Sequence, residues 1–237
     1  MGNVLKNSGK VNKSDNIVTG LIMPLIIYCV IHNAWVIGGL SVLDLAVNSG
    51  KMLSWDEEIL FFAKTLIKMS GMVMGGLSVY PYFKCQRTME MKKGLSLKEG
   101  AALIFIGAVL ALGINAVLVL TGFPQNNEQY QQVAEVQFAL PLWLAFLFYG
   151  IISPVVEEMV FRGIACSWLG QYMSPAVAVA GSALLFGAFH GNLVQMLYAS
   201  IMGVVLALVY RKYKNLTAPV LLHAAANVAV YFVTYFF

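Results

Sequence analysis

Residues 154–169 read PVVEEMVFRGIACSWL, an apolar segment broken by only three charged side chains, Glu157, Glu158 and Arg162. Glu158 and Arg162 stand four residues apart, so on a helix their side chains stack and can pair away from lipid. Glu157 lies about 100° further round the same helix and cannot share the arginine in that geometry. It needs another partner or a raised pKa, which makes it the better candidate for a proton-transfer base. Ionisable groups in so apolar a segment are costly unless they face protein or water, so the stretch reads as a helix inside a membrane bundle rather than one facing lipid.

Working outward, apolar runs recur from residue 17 to residue 237, and the chain is 59% hydrophobic and 11% charged. A soluble domain carries about 45–50% apolar residues. The fold class is therefore all-α, a polytopic transmembrane helical bundle with its polar site inside. Spans are expected near 17–43, 59–83, 100–122 and 138–153, followed by 155–169, 175–190, 193–210 and 216–236. Counted separately these give eight membrane helices, and fusing 138–169 into one kinked helix gives seven. Only the seven-helix count puts Arg211, Lys212 and Lys214 on the same side as the other basic residues.

Three parts follow: a basic cytoplasmic N-terminal tail, 1–16; N-terminal transmembrane helices, 17–137, with a basic cytoplasmic loop near 84–98; and a C-terminal helical core, 138–237. The tail, with Lys6, Lys10 and Lys13, does not read as a removable signal peptide. The stretch 124–135 has no Lys or Arg and belongs on the opposite side of the membrane. Lys64 and Lys68 in the second span read as snorkelling side chains. Gly71 and Gly75 on the same span have the spacing of a close helix contact, a weak indication of a homodimer. A net charge of +4 sits mainly at span ends and forms no basic stripe, so nucleic acid is excluded as a partner. Cys29, Cys85 and Cys166 are too scattered for a disulfide framework or a thiolate cluster.

The other polar residues of the C-terminal core are His190, at the end of one apolar helix four residues after Phe186, and His223 and Asn227, four apart on the last. The chain has three histidines, and two of them fall here, so two helices present imidazoles that can converge on Glu157. The third, His32, has no acidic neighbour in sequence and reads as packing or interface hydrogen bonding.

These residues carry a resemblance. Glu157 to Arg162 matches EExxxR, Phe186 to His190 resembles FxxxH and His223 to Asn227 resembles HxxxN, in the order found in the CAAX-protease and bacteriocin-processing (CPBP) family, which includes the CAAX endopeptidases and the bacterial Abi proteins. The resemblance covers roughly 138–237. It implies an intramembrane endopeptidase, metalloprotease-like in its usual description, that acts on a membrane-associated peptide or protein: a CAAX-like tail, or a pheromone or bacteriocin precursor. On its mechanism Glu157 is the general base, His190 helps position the water, and His223 and Asn227 stabilise the oxyanion. Glu158, paired with Arg162, tunes the field around Glu157 or takes a direct catalytic share, and Phe186 gives structural support.

No cofactor is required on the first reading. Zinc is the second, because Glu157, His190 and His223 form a His2Glu set, although HExxH is absent. The lipid bilayer is the surrounding medium, and the small size fits a bacterial cell membrane. Two rivals remain: a non-catalytic bacteriocin-immunity or membrane scaffold protein, and a proton-coupled transporter, which would predict an inverted repeat that the halves do not show.

Overall fold

A computed structural model describes residues 16–50, 55–86 and 94–236. The basic tail 1–16, apart from Asn16, and the middle of the basic loop 84–98, with Arg87, Lys92 and Lys93, lie outside the described residues. Among the described residues every regular element is a helix. We number them α1 (Val18–Asn48), α2 (Glu57–Gln86), α3 (Leu97–Leu120), α4 (Glu128–Phe138), α5 (Leu142–Tyr172), α6 (Pro175–Ala188), α7 (Leu193–Tyr213) and α8 (Thr217–Phe236). Six of them, α1, α2, α3, α5, α7 and α8, are long and apolar enough to cross a membrane, and α6 is a shorter apolar helix. The protein is a multi-pass integral membrane protein.

Local chemistry sets the ends. Ser96 accepts from the Glu99 backbone N–H while the Glu99 carboxylate accepts from the Ser96 backbone, a capping box that starts α3. Ser174 caps α6 with Pro175 in its first turn, and Asn192 caps α7 by accepting from the Gln195 N–H. Lys214 ends α7 in the left-handed region at φ 48°. Most of the polar stretch 124–135, expected only as an external segment, falls in α4, capped by Asn127.

From Leu142 onward the two segments expected at 138–153 and 155–169 are one helix, while Phe138 ends α4. α5 runs through Pro154 because it changes register: residues Phe146–Ile152 and Met159–Cys166 are π-helical, and Ser153–Glu158 between them is α-helical. Widened turns absorb the missing proline N–H without breaking the helix. This yields the seven apolar helices of the fused count. α5 is also the central helix, with 61% of its most apolar window buried against 17–39% for the other five long helices.

Glycines let its neighbours close in. A Cβ at Gly107 of α3 would stand 2.3 Å from the Leu222 carbonyl oxygen, so α3 and α8 touch backbone to backbone just before His223. Gly71 and Gly75 perform the same service between α2 and α1: a Cβ at Gly71 would meet Val36, and one at Gly75 would meet the Tyr28 ring. The glycine pair that suggested a homodimer is thus already covered by the chain's own first helix. Lys64 and Lys68 are exposed on the outer face of α2.

Candidate active site

Four ionisable side chains form a row across α5 and α8. Arg162 Nη1 lies 3.1 Å from Glu158 Oε1, and both side chains are fully buried. The same Glu158 oxygen accepts from His223 Nδ1 at 2.9 Å, and His223 Nε2 faces Glu157 Oε2 at 3.6 Å. Ser153, one turn before Glu157, donates its hydroxyl to Glu157 Oε1 at 2.6 Å. Arg162 is further fixed by donating to the Gly203 carbonyl of α7 at 3.3 Å. The row thus gathers one guanidinium, two carboxylates and one imidazole. Pairing of Glu158 with both Arg162 and His223 is what allows such a row to be buried.

Phe186 sits at the centre of the row. The Arg162 guanidinium carbon lies 4.4 Å from the centre of its ring, which is the geometry of a cation–π contact. The His190 and His223 rings meet it edge to face at 4.8 and 5.5 Å, and Phe161 does so at 5.2 Å. α6 ends just before His190, whose Nδ1–H donates to the Phe186 carbonyl at 2.8 Å, leaving Nε2 as the nitrogen with a lone pair.

Beside Glu157 lies a cavity of about 520 Å³, lined by Glu157, Phe161 and His190 and, on its other wall, by Tyr28, Cys29, His32 and Asn33 of α1 and Met72 of α2. Glu157 and His190 thus line one space. His223 and Asn227 do not line it. His32, read from the sequence as a packing residue, does. Tyr28 escaped the sequence reading altogether, and the only signal that could have found it is its four-residue spacing from His32 on one helix face.

Asn227 has a backbone partner. In the π register Ser153 N–H bonds the Phe148 carbonyl, five residues back, so the next carbonyl, that of Tyr149, would receive the N–H of residue 154. Residue 154 is proline and has none. The Asn227 amide donates to the Tyr149 carbonyl instead, at 3.0 Å.

Glu157, His190 and His223 are not drawn together as a three-ligand group. Among the described residues no three His, Cys, Asp or Glu side chains are grouped to hold one, and both His223 nitrogens are directed at carboxylates.

Residues 139–229 match the family described as type II CAAX prenyl endopeptidase Rce1-like. "Putative membrane peptidase YdiL" of Bacillus subtilis (strain 168) is 29% identical over 139 residues, 58% of this chain and 56% of that protein. The matched part thus spans little more than half the length of that relative. No solved structure matches the chain. The motif residues of α5, α6 and α8 all fall inside the matched segment, which is similar to that endopeptidase family.

Proposed function

We propose that the protein is an intramembrane endopeptidase that hydrolyses a peptide bond of a membrane-associated peptide or protein, such as a CAAX-like tail or a pheromone or bacteriocin precursor. The observation that carries this is a half-buried carboxylate, Glu157, standing between the buried row and a cavity that also presents His190. Glu157 takes a proton from a water held by His190 Nε2 as the water oxygen attacks the scissile carbonyl. The C–N bond then breaks, and Glu157 returns the proton to the departing nitrogen. His223, fixed by Glu158, faces Glu157 from α8 and holds it in place. The reaction as drawn requires no metal.

The test is cleavage by purified protein in detergent of a panel of fluorogenic membrane-partitioning peptides, including a farnesylated CAAX peptide and leader peptides. Glu157→Gln and His190→Ala are compared with the wild type, with and without chelator. Loss of a general base removes about 10²–10⁴-fold in rate. Cleavage that survives chelator and disappears in both variants supports the proposal. Cleavage restored only by zinc rejects the metal-free mechanism, and a wild type that cuts nothing favours an immunity or scaffold role.

A further inference from the structure

Attack by water places negative charge on the carbonyl oxygen, and a dry site must meet it with a preorganised donor. Of the two residues first expected in that role, His223 donates Nδ1–H to Glu158 and turns Nε2 to Glu157, and Asn227 donates one amide N–H to Tyr149. Neither borders the cavity. His190 Nδ1–H is spent on the Phe186 carbonyl, and on the opposite wall the Asn33 amide donates to the Cys29 carbonyl at 2.8 Å.

Tyr28 differs from all of these. Its side chain is buried and lines the cavity, yet its hydroxyl makes no hydrogen bond among the described residues and is not sealed from the cavity space. The phenol lies within electrostatic reach of the Glu157 carboxylate. Its ring is held from behind by α2, where a Cβ at Gly75 would come within 3.0 Å of two ring carbons, and from the side by Phe189, with ring centres 6.1 Å apart. A short rigid side chain, fixed on both flanks and tipped by an unspent O–H, is a preorganised donor. α1 lies outside the segment that matches the family, so the motifs give no hint of it.

We propose that the Tyr28 hydroxyl donates a hydrogen bond to the scissile carbonyl oxygen and holds the oxyanion in the tetrahedral intermediate, opposite Glu157. The inference rests on the endopeptidase reading above. No net proton leaves Tyr28: the water proton passes through Glu157 to the leaving nitrogen, and the phenol only strengthens its hydrogen bond as the carbonyl oxygen becomes negative.

Tyr28→Phe keeps the ring and its packing and deletes one oxygen. On the peptide cut fastest by the wild type, it should lower kcat by about 10²-fold with KM within about twofold, as removal of one oxyanion donor does elsewhere. A phosphinate analogue of that peptide, carrying an anionic oxygen at the scissile position, should bind the variant on the order of 10²-fold more weakly. A ketomethylene analogue without that charge should bind both proteins alike. Unchanged kcat, or equal weakening of both analogues, overturns the Tyr28 assignment and leaves the endopeptidase reading standing. A wild type that cleaves no peptide overturns both.

Discussion

Arg162 touches Glu158, the Phe186 ring and the Gly203 carbonyl, and is fully buried. Arg162→Ala leaves Glu158 with a buried charge and no cation. Breaking a buried pair costs about 3–5 kcal/mol, so we expect a sharp fall in folded yield and melting temperature, read by size-exclusion fluorescence in detergent. Arg162→Lys keeps the charge but loses the planar fork, so it should fold better than the alanine variant and still cut poorly. Glu158→Gln should preserve folding better than Arg162→Ala and should reduce the cleavage rate, because His223 then loses the anion that orients it. At this scale the sequence was most informative about pairs on a single helix, since i and i+4 neighbours follow from helix geometry alone. It could not say which carboxylate His223 would prefer, because that depends on how α8 meets α5. Nor could it show that His32 and Tyr28 share a cavity with Glu157, a contact between residues far apart in the chain.

Between elements, the position of His223 depends on Gly107. The Leu222 backbone lies where a side chain on residue 107 would begin, and backbone cannot move aside as a flexible side chain can. Gly107→Ala should therefore push α8 from α3, lengthen the His223–Glu157 approach and cut the cleavage rate by more than it lowers the melting temperature. Gly113→Ala on the same helix, where a Cβ meets nothing within 4 Å, is the control and should leave both unchanged. Apolar run length made every long helix legible in the sequence, to within a few residues at most ends. The continuity of α5 through Pro154 was left open, since a proline signals a break or a kink with equal force until its π turns are seen. α4 was missed because its polar composition resembles a loop.

Across the whole molecule, the seven-helix path returns Arg211, Lys212 and Lys214 to the side where α3 begins, and the Lys212 charge acts on Glu99 at the start of that helix. Single cysteines replacing Lys98 and Lys214 in a cysteine-free background should be labelled by an impermeant maleimide from one face of the membrane. A cysteine replacing Gln125 should be labelled from the other, and labelling of all three from one face would refute the path. The pairing of Asn227 with Tyr149 spans 78 residues of chain. It also has a consequence for synthesis. When α5 leaves the ribosome its backbone has a carbonyl that its own residues cannot satisfy, and the donor that closes it is translated only midway through α8. The helix bearing both glutamates is therefore finished by the segment that brings His223. A chain stalled before that point carries both glutamates without His223, so on the proposed function a half-made copy lacks a complete site among the nascent proteins around it.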